Sequence, residues 1–140
     1  MPESPRSHFV PDTMLMHIAL VGVGGLLGSV GRFLLSLLVT QWSGAARFPY
    51  ATLMVNVLRC LLIGAVGGFA SRSAFLTPPV RLFLITGMLG GFTTFSAFGY
   101  ETFLLGKDSL TAMAVANIAA QVLLGLGAVW LGHTVVLSGR

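Results

Sequence analysis

The chain has 140 residues, of which 55% are hydrophobic and only 9% charged. Soluble domains carry roughly 25% charged residues, so this composition indicates a membrane protein. The single cysteine, Cys60, excludes an internal disulfide and a cysteine metal cluster. The net charge is +4, but the Lys and Arg residues are scattered singly, which argues against a nucleic-acid partner and leaves the lipid bilayer as the expected surroundings.

Four apolar stretches are each long enough to cross a bilayer core, which takes roughly 20 helical residues. We predict helices over residues 14–40, 50–70, 80–105 and 110–136, with Asp108 or Ser109 as the N-cap of the fourth. Residues 1–13 are polar and carry no cleavage-site pattern, so we predict a disordered tail there. Residues 14–140 are then a single transmembrane domain of four helices.

Glycine recurs at four-residue spacing in the first three predicted helices. Small residues at this spacing let helix backbones approach closely in lipid. We therefore predict tight helix packing, and no chemistry, on the faces that carry Gly24 and Gly28, Gly64 and Gly68, and Gly87 and Gly91.

The loop charges give only a weak orientation signal. With four crossings both termini lie on the same side of the membrane. That side then carries four arginines and the opposite side two basic residues, a small difference under the positive-inside rule. A chain that inserts both ways can form an antiparallel dimer, as the inverted repeats of transporters do. The first side collects Arg6, Arg72, Arg81 and Arg140, and the other collects Arg47 and Lys107.

Polar side chains lie at helical spacing within two of the predicted helices. Thr52 and Asn56 share one face of the second helix, and Asn117 and Gln121 share one face of the fourth. Polar groups within a membrane must find a partner or line a wet path. For Asn56, a role as hydrogen-bond donor to an anion and a role in an interhelical hydrogen bond both stay open, whereas Asn117 and Gln121 predict a polar track.

Two arginines fall inside predicted helices. Arg32 either reaches an interface with its long side chain or lies at the mouth of an anion path. Arg59 lies mid-helix, where a permanent cation costs at least about 2.5 to 3.5 kcal/mol. It must contact water, a backbone carbonyl or Glu101, or else serve a pathway.

The stretch "GMLGGFTTFSAF" at residues 87–98 predicts an interruption of the third helix. Gly90 and Gly91 weaken a helix, and the hydroxyls that follow compete with its backbone hydrogen bonds. Carbonyls freed at membrane depth are tolerated only where protein or a polar cavity satisfies them, and a bound cation is one solution. Phe95 and Phe98 have electropositive ring edges that suit a small anion.

Together with "TLMVNV" and "GSVGRF", this stretch resembles the CrcB/Fluc fluoride channel family over about residues 15–131. The resemblance implies an all-α membrane protein with four transmembrane helices per subunit, the third broken mid-membrane. It also implies an antiparallel, dual-topology homodimer in the cell inner (plasma) membrane. Two antiparallel pores would pass fluoride passively out of the cell, and a structural sodium ion would lie at the dimer centre.

The resemblance also assigns residues to these roles. The ring edges of Phe95 and Phe98 would face fluoride, and the carbonyls of Gly90 and Thr93 would hold the sodium. Arg32 would lie near the vestibule, with Glu101 as the acidic residue that closes the motif. The polar route would be lined by Asn56, Thr52, Thr94, Asn117 and Gln121.

Two residues depart from the family pattern. Ala97 replaces a Thr common between the two phenylalanines, which removes one hydroxyl. Arg59 falls where the family has a small residue, generally Gly. A bulky cation there would disturb packing, block a pore or add anion attraction, and the sequence leaves these three outcomes open.

Other function classes fit less well. Paired carboxylates, a nucleophile triad and a phosphate loop are all lacking, so we do not expect an enzyme. The main alternative is a four-helix proton-coupled multidrug or cation antiporter, but that needs a carboxylate in the middle of the first helix, where this chain has none. A membrane scaffold would leave Asn56, Asn117 and Gln121 unexplained.

Overall fold

The computed structural model describes residues 11–72, 76–93 and 95–139, and every regular element within them is helical. Among these described residues three helices are long and apolar enough to cross a membrane, in agreement with the predicted all-α membrane class. The elements are α1 (Pro11–Ser43), α2 (Tyr50–Ala70), α3 (Pro78–Arg81), a π-helix (Leu82–Leu89), α4 (Phe95–Lys107) and α5 (Thr111–Ser138).

The helix bounds match the prediction for α2 and differ slightly elsewhere. α1 begins at Pro11, so the last residues of the predicted tail are helical, and residues 1–10 lie outside the described residues. Proline is favoured at the first helical position because its fixed φ suits the helix and its missing N–H would have no intrahelical partner there. α1 also continues beyond the predicted end to Ser43, and α5 begins at Thr111.

The region predicted as the third helix forms separate segments. α3 starts on Pro78 and Pro79 and leads directly into the π-helix. At the end of the π-helix, the Gly90 N–H contacts the Ile85 carbonyl five residues back, the spacing of a π-helical bond. The helical pattern stops near residue 92 and resumes with α4 at Phe95.

The predicted N-cap of the last helix is wrong. Leu110 occupies that position without a side-chain cap bond, and Ser109 instead ends α4 with a φ of 61°. The Leu110 N–H donates to the Leu105 carbonyl at 2.8 Å and the Ser109 N–H donates to the Gly106 carbonyl at 3.2 Å. These two bonds form a Schellman motif, which requires a left-handed residue. Ser109 therefore serves the end of the preceding helix.

The glycine faces pack as predicted. α1 lies along the π-helix, where a Cβ added at Gly24 would come within 2.9 Å of the Met88 nitrogen and one at Gly91 within 2.9 Å of the Gly25 Cα. α2 lies along α5, where a Cβ at Gly68 would come within 2.9 Å of the His133 carbonyl oxygen. Side chains at these positions would push the helices apart, so glycine sets the interhelical distance.

The α2 and α5 helices run parallel in one constant register. The Asn56 and Gln121 side chains join across 65 residues of sequence. Further along, Gly64 opposes Val129 and Gly68 opposes His133, which preserves this separation. Since parallel helices begin at the same end, the chain between α2 and α5 must return to the end at which α2 started.

Candidate functional site

A groove of about 200 Å³ opens between α2, the start of α4 and α5. It brings together predicted site residues from three separate parts of the sequence. The lining residues of α2 and those of α4 are three or four positions apart, which places them on one face of each helix. The groove is lined by Asn56, Arg59, Cys60, Thr93, Phe95, Phe98, Gln121 and Val122.

The two amides in the groove are bonded to each other. The Asn56 Nδ2 donates to the Gln121 Oε1 at 3.0 Å, so the interhelical hydrogen bond that the sequence left open for Asn56 is present. The bond uses the oxygen of Gln121 and leaves its Nε2 buried without a partner. A side-chain amide carries two N–H donors, so the pair retains unused donor capacity on the groove.

Phe95 and Phe98 form an aromatic pair on the first turn of α4. Their ring centroids are 5.6 Å apart and the ring planes are tilted by 56°. In this tilted arrangement, the positive edge of one ring approaches the negative face of the other. The Phe95 side chain is 79% exposed in the subunit, whereas Phe98 is partly buried. Both residues line the groove.

Arg59 contacts a backbone carbonyl, one of the partners that the sequence predicted for it. Its Nε donates to the Leu89 carbonyl oxygen at 3.0 Å, at the last residue of the π-helix. This hydrogen bond ties α2 to the last residue of the π-helix. Glu101, the other predicted partner, instead accepts a hydrogen bond from Thr52.

A second polar layer lies one helical turn from the groove. The Thr52 hydroxyl donates to the Glu101 Oε1 at 2.7 Å, and the Asn117 Nδ2 donates to the Thr102 hydroxyl at 2.8 Å. Thr102 in turn donates to the Phe98 carbonyl oxygen at 2.7 Å. Asn117 is fully buried and is not part of the groove wall, although Gln121 one turn later is.

Glu101 connects this layer with a larger opening of about 550 Å³ at the end of α4. Its Oε2 is buried without a partner. Glu101 therefore belongs both to the second polar layer and to the wall of this opening. The opening is lined by Arg47, Pro49, Glu101, Leu104, Leu105, Asp108 and Leu110.

Sequence reasoning missed Thr102. It lies one turn after Phe98 on the same helix and links two helices through its hydroxyl. Its four-residue spacing from Phe98 was the available signal. Thr102 lies outside the stretch "GMLGGFTTFSAF", on which the site prediction for this helix was based.

The remaining predicted site residues lie elsewhere. Arg32 is on α1, where its Nε is buried without a hydrogen-bond partner, and it does not line the groove. Thr94 lies outside the described residues. Gly90 and Thr93 are joined by a long bond of 3.4 Å from the Thr93 N–H to the Gly90 carbonyl. Among the described residues no group of His, Cys, Asp and Glu side chains is suited to a metal ion.

The chain was compared with known proteins. A family model described as "CrcB-like protein, Camphor Resistance (CrcB)" matches residues 19–133. A protein of Methylobacillus flagellatus named "Fluoride-specific ion channel FluC" is 45% identical over 122 residues, which cover 87% of this chain and 95% of that protein. One of Rhizobium meliloti with the same name is 47% identical over 116 residues, covering 83% and 92%.

A third relative with this name, from Flavobacterium psychrophilum, is 41% identical over 112 residues, covering 80% of this chain and 90% of the relative. The names describe ion channels and no enzyme, in agreement with the interpretation of the sequence. Because the family match covers most of the chain, residues 19–133, the chain belongs to the CrcB family.

Proposed function

We propose that this protein is a fluoride-selective channel that lets fluoride leave the cell passively across the inner membrane. The observation that carries the proposal is the groove, which gathers two side-chain amides and two phenylalanines in a chain with few charged residues. The relatives named as fluoride-specific channels support the same ion. They give no support to the antiporter alternative.

The groove has the chemistry that a dehydrated fluoride ion requires. A pore must replace the ion's water with hydrogen-bond donors, and each site must bind weakly enough to release the ion. In the proposed path, fluoride passes the ring edges of Phe95 and Phe98 and the amides of Asn56 and Gln121. It then moves along the polar layer at Thr102 towards the larger opening.

We propose that the chain crosses the membrane four times. The parallel arrangement of α2 and α5 supports this, because residues 71–110 must carry the chain back to the end at which α2 began. The segment Pro78–Leu89 extends at most roughly 18 Å at 1.5 Å per residue, too short for a bilayer core of about 30 Å. With α4 it is long enough to form one interrupted crossing.

The contacts that the π-helix and α4 make with α2 indicate that both run in the same direction. Leu89 lies level with Arg59, and Glu101 lies level with Thr52, nearer the start of α2. The π-helix and α4 therefore follow each other antiparallel to α2. The interruption between them places Phe95 and Phe98 at the depth of Asn56.

The proposed assembly is an antiparallel homodimer with two pores. Several aromatic side chains on α4 are exposed in the single subunit, among them Phe95 at 79% and Tyr100 at 64%. A partner subunit over the start of α4 would close the open side of the groove. The weak charge difference between the two sides is compatible with insertion in both orientations.

The proposed sodium ion would be held at the dimer centre by the carbonyl oxygens of Gly90 and Thr93 from each subunit. The donor chemistry fits, since both groups are neutral oxygens next to the interruption and Thr93 is exposed on the subunit surface. A bound sodium ion would supply positive charge to these two carbonyl oxygens beside the interruption. The ion would thereby hold Gly90 and Thr93 of both subunits together at the dimer axis.

A flux assay on the purified protein tests the channel. In liposomes loaded with fluoride, we expect rapid efflux recorded by a fluoride electrode, and far slower efflux of chloride. Phe98→Ile should lower fluoride efflux about tenfold or more, because an aliphatic side chain has no electropositive edge. Phe69→Ile, on an exposed part of α2, is the matched control and should leave efflux unchanged.

Two outcomes would contradict the proposal. Uptake of an organic cation driven by a proton gradient, without fluoride flux, would favour the antiporter. Fluoride flux that is equal in wild-type protein and in Phe98→Ile would reduce the two rings to packing residues.

A further inference from the structure

The groove holds two donors that no described protein group uses. The first is the Nε2 of Gln121, which is buried and has no hydrogen-bond partner. Its position is fixed because the Oε1 of the same amide accepts the Asn56 N–H at 3.0 Å. A buried donor without a partner is destabilising unless a ligand or water satisfies it.

The second donor group is the guanidinium of Arg59. Its Nε is anchored on the Leu89 carbonyl at 3.0 Å, so one edge of the planar group has a fixed partner. A guanidinium carries five N–H donors, and the four on the Nη atoms have no partner among the described residues. Arg59 and Gln121 both line the groove of about 200 Å³.

Nothing among the described residues neutralises the charge of Arg59. The carboxylate of Glu101 lies one polar layer away, where it accepts the Thr52 hydroxyl. An unpaired guanidinium at membrane depth is unfavourable, so a counter-anion beside it would be stabilised. The groove is open to a small ion. Its wall on α5 carries Gln121, whose Nε2 is also a hydrogen-bond donor.

We propose that the Arg59 guanidinium and the Gln121 amide form an anion-binding site in the groove that holds one small monovalent anion between them. The inference rests on the proposed function for the identity of the anion, fluoride. Hydrogen bonds to a charged donor are about twice as strong as neutral ones. This chain therefore binds its ion more tightly than the ring edges and neutral amides would alone, and its flux saturates at lower fluoride concentration.

Direct binding to the purified full-length protein tests the site without relying on flux. Potassium fluoride is titrated into detergent-solubilised protein by isothermal calorimetry, at ionic strength fixed with potassium gluconate. We expect Arg59→Gln to weaken fluoride binding about tenfold or more, since it removes the charge-assisted bonds. Arg59→Lys keeps the charge but loses the planar fork, and should fall between the two.

Gln121→Glu gives a second and independent measurement. The substitution keeps an oxygen that can accept the Asn56 N–H, but it replaces the unused donor by an oxygen and places a negative charge beside Arg59. We expect it to weaken fluoride binding at least as much as Arg59→Gln. It therefore decides the question even if Arg59→Gln fails to fold. Arg81→Gln removes an exposed arginine outside the groove and should leave binding unchanged.

The outcomes separate this site from the channel itself. Wild-type protein that binds fluoride through Arg59 but carries no flux would contradict the channel and support the site. Protein that carries flux, with fluoride affinity unchanged in Arg59→Gln and Gln121→Glu, would overturn the site alone. Wild-type protein that binds no fluoride in the calorimeter would also overturn the site.

Discussion

The two halves of the α2–α5 contact differ in how the helices meet. In the second half, a Cβ at Gly64 would overlap the Val129 carbonyl, so the two backbones touch. In the first half, Asn56 and Gln121 keep the same register but meet through their side chains. One parallel helix pair thus supports two tasks, because glycines hold the helices together at one end and polar side chains occupy the other.

The strongest test of this comparison lies in the glycine half. A Cβ at Gly132 would overlap the Leu61 carbonyl and come within 2.9 Å of the Ala65 nitrogen, whereas a Cβ at Gly127 would have nothing within 4 Å. We expect Gly132→Ala to lower the free energy of unfolding by about 3 kcal/mol, because helix backbones cannot yield locally. Gly127→Ala should be neutral or stabilise by up to about 1 kcal/mol.

Chemical unfolding in detergent, followed by circular dichroism, measures both variants. If the two alanines have equal effects, the backbone contact does not control the stability of the pair. A destabilised Gly127→Ala would likewise contradict the assignment of this residue to an open surface.

Substitutions in the polar half of the contact should affect protein stability and fluoride transport differently. Asn56→Leu or Gln121→Leu alone leaves an amide without its partner, and we expect a loss of about 1 to 3 kcal/mol in the free energy of unfolding. The double substitution removes both polar groups and should be nearly neutral for stability. All three variants should show strongly reduced fluoride efflux, because the donors on the groove are lost.

A double-mutant cycle on unfolding, combined with the flux assay, makes this measurement. Additive losses in stability would mean that the two amides are not coupled. A double variant that retains full efflux would show that the amides only hold the helices together.

The smallest expected effect concerns the second polar layer. Thr52→Val keeps the shape of the side chain but removes the 2.7 Å bond to Glu101, for an expected loss of about 1 kcal/mol in the free energy of unfolding. Thr134→Val is the matched control, since the Thr134 hydroxyl bonds only to carbonyls of its own helix, and it should change stability by less than about 0.5 kcal/mol. Equal effects would show that the bond between helices adds nothing.

Much of this arrangement could be predicted from local sequence signals. The glycine faces were confirmed because a four-residue repeat places small residues on one side of a helix whatever it packs against. The bounds of α2 were confirmed because proline and polar residues flank a continuous apolar stretch. The family was recognised from short motifs around Asn56 and Phe95, and the comparisons confirm it.

Other features depend on residues distant in sequence. The N-cap prediction at Ser109 was wrong because that residue completes the end of α4, and local propensity does not say which of two adjacent helices a serine will serve. Asn117 and Gln121 share a face of α5, yet they meet different neighbours on α4 and α2. Helical spacing gives the face and not the partner.

Composition, periodicity and short motifs are local properties of the chain, and they were enough to predict a membrane-embedded helical protein, its close-packing faces and its family. The contact of Arg59 depends on the tertiary structure, since its hydrogen-bond partner, the Leu89 carbonyl, is 30 residues away in the sequence. The same holds for the unused donor of Gln121, whose orientation is set by Asn56 on another helix. Hydrogen-bond geometry between helices is fixed by packing, which no single stretch of sequence encodes.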